Sequence, residues 1–131
     1  MKAILWHQGE SDSTYDGPLN YYSNLSTLIN HMRGFIAEAT GNKAYRNIPF
    51  IMGTVPHRSR QYNADVEAAQ RRIASEDRNV YLIDMSGQTL QKDMLHFDAT
   101  SAEYMAVNVI RKLVDLDIIP EVTTWPDLEV T

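Results

Sequence analysis

The chain of 131 residues contains no cysteine, no long apolar run and no concentrated basic stripe. Without cysteine it can form no disulfide, no thiolate zinc site and no cysteine nucleophile. No segment approaches the roughly 18 consecutive apolar residues that a membrane span requires. The segment Met1–Trp6 also lacks the longer apolar region and the cleavage site of a signal peptide. A membrane-spanning protein is therefore not expected, and the compartment stays open.

The formal net charge of −5 does not favour a nucleic-acid partner. Basic residues are scattered except for Arg58, Arg60, Arg71 and Arg72, and no stripe of interleaved aromatic residues accompanies them. An acidic, solvated surface that aids solubility is the plainer interpretation. The sequence also shows no metal-ligand spacing, no phosphate-binding glycine loop and no dinucleotide fingerprint. Neither a metal nor a cofactor is therefore expected.

Apolar residues in this chain alternate between short runs and helical spacing. The short runs, each closed by polar residues, predict buried strands at Ala3–Trp6, Ile48–Val55 and Val80–Met85. The helical spacing predicts helices at Asn20–Thr40, at Tyr62–Glu76 and from about Thr100, where Thr100–Glu103 has the form of a capping box. Gly41 and Asn42 are a helix stop signal.

This alternation predicts parallel strands joined by helical crossovers, hence an α/β protein with a doubly wound parallel sheet. Residues 1–116 would form the domain and residues 117–131 a C-terminal extension. The extension would either dock on the domain or add an edge strand through Glu121–Trp125. In such sheets a functional site lies outside the carboxyl ends of the strands. Two polar motifs of the sequence fall at this end of the predicted sheet.

The first motif is Asp93-Met94-Leu95-His96-Phe97-Asp98. An aspartate that accepts a hydrogen bond from the imidazole Nδ1 fixes the tautomer of a histidine base and stabilises its charged form. The three-residue spacing of Asp93 and His96 permits this contact. A lone histidine in a loop is more often a polar surface residue, so the spacing alone is a weak signal.

The second motif, Gln8-Gly9-Glu10-Ser11-Asp12, follows the first predicted strand. Gln8 could donate its side-chain amide to an oxyanion, an interaction typically worth about 10²–10³ in rate. A glycine turn with polar capping residues is an equally good interpretation of this segment alone. Glu10 and Asp12 could act as acid–base carboxylates, but holding the loop through backbone N–H groups is the more common role.

Taken together, the two motifs closely resemble the SGNH-hydrolase superfamily, and more narrowly its sialate O-acetylesterase and acetylxylan esterase group. The resemblance implies a flavodoxin-like α/β/α sandwich that removes acetyl groups from carbohydrates through a serine acyl-enzyme. It implies that His96 is the catalytic base, Asp93 its orienting acid and Gln8 an oxyanion donor, with Glu10 supporting the loop. Relatives of this type are often secreted or periplasmic.

The sequence departs from the family pattern in its nucleophile. The family carries its serine in a Gly-Gln-Ser-Asn type motif after the first strand, upstream of the Gln-Gly-Glu block, and the chain shows no such motif there. The expectation is therefore an incomplete fold without the first strands, inactive or nearly so by itself. Ser11 nearly fits a Gly-x-Ser-x-Gly elbow but is the weaker candidate, because the resemblance places it in the oxyanion loop.

Three further expectations follow. His57 and Arg58 come after the second predicted strand and could contact substrate, an arginine suiting a sugar carboxylate, although solvated loop charges are the more common case. The first strand would be an open apolar edge, covered by a second copy, by the C-terminal tail or by a missing segment. The rival to an esterase is a non-catalytic remnant that binds carbohydrate or oligomerises.

Overall fold

The computed structural model describes residues 2–121. Its elements in chain order are β1 (Ile4–His7), α1 (Gly17–Thr40), a short 3₁₀ helix (Lys43–Asn47), β2 (Phe50–Gly53), α2 (Ala64–Glu76), β3 (Val80–Ile83) and α3 (Ala99–Asp115). The three strands form one parallel sheet in the order β1-β2-β3. The α/β class and the parallel sheet predicted from the sequence are confirmed. The predicted edge strand in the C-terminal extension lies almost wholly outside the described residues.

The sheet is covered on both faces. Because side chains alternate along a strand, Phe50 and Met52 of β2 point to one face and Ile51 to the other. The first face packs against α1 and α2, and the second packs against α3 through Val109. The molecule is therefore a three-layer α/β/α sandwich, the incomplete form of the fold that the sequence implied.

The ends of the helices follow local sequence signals, with corrections to the predicted starts of α1 and α3. Helix α1 begins at Gly17, three residues earlier than predicted, with Pro18 in its first turn. It ends at Thr40 and is capped by Gly41, whose φ of 66° is left-handed. Helix α3 begins at Ala99 and is capped by Asp98, whose side chain accepts from the Ser101 backbone N–H at 2.9 Å. The predicted cap at Thr100 was wrong, because Asp98 supplies the oxygen and an extended backbone at that position.

Helix α1 buries a narrower face than its apolar residues suggested. Phe35 is 74% exposed and Leu28 is 36% exposed, whereas Arg33 is buried. The Arg33 guanidinium donates to Asp77 at 2.5 Å and to the backbone oxygens of Ile48 and Asn79 at 3.1 and 3.0 Å. A buried cation with these partners fastens α1 to the amino ends of β2 and β3.

Strand β1 lies at one edge of the sheet and pairs only with β2. The expected open edge is therefore present within the described residues. Leu5 points to the same face as its register partner Ile51 and is 57% exposed, since α3, the helix on that face, contacts β3 at the other side of the sheet. None of the helices in residues 2–121 combines the length and the apolar character needed to cross a bilayer.

Candidate active site

Both polar motifs lie at the carboxyl end of the parallel sheet. The Gln8 motif continues directly from β1, and the His96 motif precedes α3. The rings of His7 and Phe97 meet edge to face with centroids 4.8 Å apart. The structure therefore brings together two segments that are almost 90 residues apart in the sequence, as an active site at the end of a parallel sheet requires.

His96 and Asp93 form a directly bonded pair. The His96 Nδ1 atom lies 2.5 Å from Asp93 Oδ2. Because a carboxylate can only accept, Nδ1 carries the proton and donates it, and the neutral imidazole leaves Nε2 free to take a proton. The His96 side chain is 75% exposed. The arrangement is that of a general base oriented by a carboxylate, with its reactive nitrogen open to solvent.

The backbone of the loop holds this pair in place. Asp93 Oδ1 accepts from the backbone N–H groups of Leu95 and His96 at 2.9 and 3.1 Å. Met94 has a left-handed φ of 60°, and its carbonyl accepts from the Arg60 backbone N–H at 3.1 Å. One aspartate thus both folds the turn and orients the ring, which explains the three-residue spacing.

The pair also shifts both ionisation equilibria. The hydrogen bond from His96, followed by those from the Leu95 and His96 backbone N–H groups, lowers the pKa of Asp93 to about 2. The same side-chain contact with Asp93 raises the pKa of His96 above its ordinary value. Asp93 therefore stays ionised, and His96 is a stronger base than a free imidazole.

The side chain of Gln8 is fixed by its own loop. Its Nε2 donates to Asp12 Oδ2 at 2.5 Å. An amide nitrogen has two hydrogens, so one N–H remains to donate elsewhere. Glu10 is half-buried, and its Oε1 lies 3.5 Å from His7 Nδ1. Both carboxylates thus contact side chains of their own segment, whereas contacts with backbone N–H groups were expected from the sequence.

The backbone of the Gln8 loop is held by two buried residues that the sequence motifs did not reveal. The Gln8 carbonyl accepts from Tyr21 Oη at 3.0 Å and from Gln70 Nε2 at 3.1 Å. Next to it Gly9 has a φ of 146°, and a Cβ there would lie 3.2–3.3 Å from Val55, Val66 and Gln70. In the sequence, the only signal for Tyr21 and Gln70 is that each lies on the buried face of a helix.

The remaining candidates are not joined to His96. Ser11 is exposed, and no hydrogen bond links it to His96 in the part of the chain described. His57 Nε2 lies 3.0 Å from Glu67 Oε1, and its ring contacts that of Tyr62 at 4.4 Å, so it fastens its loop to α2. Arg58 is exposed. Within residues 2–121 no cluster of three or more His, Asp or Glu side chains could hold a metal ion.

A three-layer parallel α/β sandwich with an imidazole–carboxylate pair beside a glycine loop has the features of an esterase-type hydrolase domain. Comparison with known proteins identifies the family. The model of the family described as "carbohydrate esterase, sialic acid-specific acetylesterase" matches residues 1–115, and the chain belongs to this family. The description of this family names esterases that act on carbohydrates.

A solved structure gives the same fold. The X-ray structure of a protein from Arabidopsis thaliana superposes with a TM-score of 0.71 at 25% sequence identity. The match covers 88% of this chain and 44% of the Arabidopsis chain, so the present chain corresponds to less than half of that protein. No curated protein matches the chain.

Proposed function

We propose that this chain supplies the general base and one oxyanion donor of a carbohydrate O-acetylesterase. The observation that carries the proposal is the 2.5 Å contact between His96 Nδ1 and Asp93 Oδ2, which leaves Nε2 free at the carboxyl end of the sheet. The nucleophilic serine would come from outside these 131 residues, because no serine of the described residues is bonded to His96. The chain alone is therefore expected to be inactive or nearly so.

In this mechanism a serine hydroxyl attacks the acetyl carbonyl carbon while His96 Nε2 takes its proton. The resulting oxyanion accepts a hydrogen bond from the free N–H of Gln8. Collapse of the intermediate breaks the ester bond, and His96 returns the proton to the leaving sugar oxygen. Water, deprotonated by His96, then attacks the acyl carbon. His96 returns this proton to the serine oxygen as acetate leaves, which restores the serine. Asp93 stays ionised throughout and stabilises the imidazolium.

Hydrolysis of 4-nitrophenyl acetate and of acetylated sugars tests this proposal. The 131-residue chain should turn over at close to the background rate, and a polypeptide that also carries a serine-bearing strand segment should be active. In the active form, His96→Ala should lower the rate by about 10²–10⁴, the usual contribution of general acid–base catalysis. His31→Ala, which removes an exposed histidine from α1, is the matched control. Activity that is independent of His96 would refute the mechanism.

Ser11 is the alternative nucleophile. It lies in the loop after β1, is exposed and could move toward His96 only if the loop rearranged. Strong hydrolysis by the 131-residue chain that disappears in Ser11→Ala would establish this role. Hydrolysis that persists in Ser11→Ala would exclude it.

We also propose that the ester substrate is an acidic sugar. The loop that carries Arg58 and Arg60 is attached to the His96 loop by the Arg60 N–H···O Met94 bond of 3.1 Å. Both guanidinium groups are exposed, and neither forms an ion pair with another residue of the described chain. A sugar carboxylate is the partner that would suit them.

We test this preference by comparing the KM for the acetyl ester of a sialic acid with the KM for the acetyl ester of a neutral sugar. A hydrogen bond to a charged group contributes about 1.5–3 kcal/mol, so Arg58→Gln with Arg60→Gln should raise KM about tenfold or more for the acidic sugar only. Arg78→Gln, an exposed arginine at the other end of the sheet, is the control. Equal changes in KM for both sugars would show that the arginines do not bind the sugar carboxylate.

The open edge of β1 is the proposed attachment site for further protein. Within the described residues β1 has a neighbouring strand on one side only, and Leu5 on this strand is 57% exposed. Because the Arabidopsis protein extends well beyond the matched region, we propose that another segment of the same polypeptide covers this edge. Light scattering tests it: a stable dimer of the 131-residue chain that Leu5→Lys dissociates would show that a second copy covers the edge instead.

A non-catalytic carbohydrate-binding role is the second candidate. The observation in its favour is the 75% exposure of the His96 side chain, which lacks the water-excluding surroundings of most catalytic bases. Binding of an acetylated sugar without turnover, unchanged by His96→Ala, would support this role against the esterase.

A further inference from the structure

We infer that Tyr21 and Gln70 are positioning residues that hold the Gln8 donor in its working orientation. The inference rests on the proposed function of Gln8, but the two residues belong to neither sequence motif. Tyr21 lies on α1 and Gln70 on α2, and they are 2% and 0% exposed. Their polar groups converge on one acceptor, the backbone oxygen of Gln8.

The three groups form a closed set of hydrogen bonds. Tyr21 Oη donates to the Gln8 oxygen at 3.0 Å, and Gln70 Nε2 donates both to that oxygen at 3.1 Å and to Tyr21 Oη at 3.1 Å. A carbonyl oxygen has two lone pairs, so both are occupied. The peptide plane between Gln8 and Gly9 is therefore fixed by donors from two different helices.

The tyrosine remains a donor over the whole working range of pH. Burial, its largest influence, raises the pKa of Tyr21 to about 12, against the opposing hydrogen bond from Gln70. Asp12 and Glu10 act in the same direction as burial, because their negative charges disfavour a phenolate nearby. The hydroxyl hydrogen is thus always present to donate to Gln8.

The side chain of Gln8 is held from its other end by Asp12 at 2.5 Å. With the peptide plane and the amide both fixed, the donor needs no reorganisation when an oxyanion forms. Preorganised dipoles stabilise transition states most effectively for this reason. Tyr21 of α1 and Gln70 of α2 thereby orient Gln8, which lies in the loop after β1 and on neither helix.

Gln70 has a feature that packing alone does not explain. Its Oε1 atom is buried and has no hydrogen-bond partner among the described residues. An unpaired buried acceptor destabilises a fold, and an apolar side chain of the same shape would avoid this cost. A glutamine at this buried position is understandable if its Nε2 donor orients the Gln8 carbonyl.

Spectroscopy of the 131-residue chain tests the positioning role without any activity. In ¹H–¹⁵N NMR spectra, Tyr21→Phe and Gln70→Met should shift the signals of the Gln8 side-chain amide and speed their hydrogen exchange. Tyr22→Phe is the matched control, since the neighbouring hydroxyl on α1 donates to Glu76 instead. Gln8 amide signals that stay unchanged in Tyr21→Phe, with the fold intact, would overturn the inference.

Kinetics test the consequence in a form of the protein that hydrolyses esters. Tyr21→Phe and Gln70→Met should each lower kcat about tenfold with KM unchanged, the pattern of a lost transition-state interaction. In a Gln8→Ala background the same substitutions should have no further effect. Equal losses in both backgrounds would show that the two residues act only through stability. Failure of the proposed function appears separately, as a rate independent of His96, and the NMR result still decides the positioning.

Discussion

The Gln8 loop and the His96 loop, the two parts of the candidate site, are held in opposite ways. Gln8 has its carbonyl bonded to the buried Tyr21 and Gln70. His96 is 75% exposed and is oriented by a single carboxylate within its own turn. The Gln8 loop, which we propose carries an oxyanion donor, is thus built into the core of this domain. The His96 loop is shaped by contacts within its own turn and is exposed to solvent, as expected if further protein covers it in the complete site.

The substitution Gly9→Ala should produce the largest loss of stability. It alters only the Gln8 loop, the buried one of the two loops. Gly9→Ala places a Cβ about 3.2 Å from Val55 and Val66 at a φ of 146°. Strained backbone costs about 1–3 kcal/mol and overpacking adds about as much. Urea unfolding followed by circular dichroism should show a loss of about 2–6 kcal/mol.

Gly87→Ala is the matched control for that experiment, since a Cβ at Gly87 meets no atom within 4 Å. Its unfolding free energy should stay within about 0.5 kcal/mol of wild type. Equal stabilities for the two variants would mean that the Gln8 loop is not held as tightly as described.

Removal of the cap that follows the His96 loop should have an intermediate effect. Asp98 accepts from the Ser101 N–H and from the Thr89 hydroxyl, and Asp98→Ala removes both contacts. Loss of an N-cap costs about 1 kcal/mol. Thermal unfolding should show this loss, whereas Asp98→Asn, which keeps an accepting oxygen, should retain most of the stability. An unchanged melting temperature in Asp98→Ala would contradict the capping role.

The smallest effect on the fold is expected from Asp93→Asn. This variant tests the His96 loop, the exposed one of the two loops. Asparagine keeps an oxygen for the turn but removes the carboxylate whose hydrogen bond and charge raise the pKa of His96. NMR titration of the His96 ring should therefore give a lower pKa in the variant. An identical titration curve in both proteins would show that the carboxylate does not act on the ring.

The same pair predicts a defined dependence of stability on pH. His96 has a raised folded-state pKa, so its contribution is complete below its ordinary value of 6.5 and is lost as the pH rises through the folded-state pKa. Asp93, with its pKa lowered to about 2, contributes above its ordinary value of 3.8 and loses this contribution as the pH falls toward 2. The difference in stability between wild type and Asp93→Asn should be greatest between these limits.

The sequence predicted the α/β/α architecture well because each strand and helix carries its own local pattern. It also predicted the contact between Asp93 and His96, since a spacing of three residues lets one turn make it. Tyr21 and Gln70 were not recognised, because their hydrogen bonds to Gln8 span 13 and 62 residues and leave no local signal. The exposure of Leu5 depends on how much of the sheet α3 covers, and helix placement is a property of the whole fold.

The parallel sheet has a consequence for the order in which the protein folds. Ile4 of β1 pairs with Phe50, and Phe50 pairs with Val80, so each pairing closes a long segment of chain. The segment from β2 to β3 is the shorter one, and closing it costs less conformational entropy. We therefore expect β1 to dock after β2, α2 and β3 have assembled. The Gln8 loop acquires its shape only in that last step, so a growing or partly unfolded chain has no preformed site.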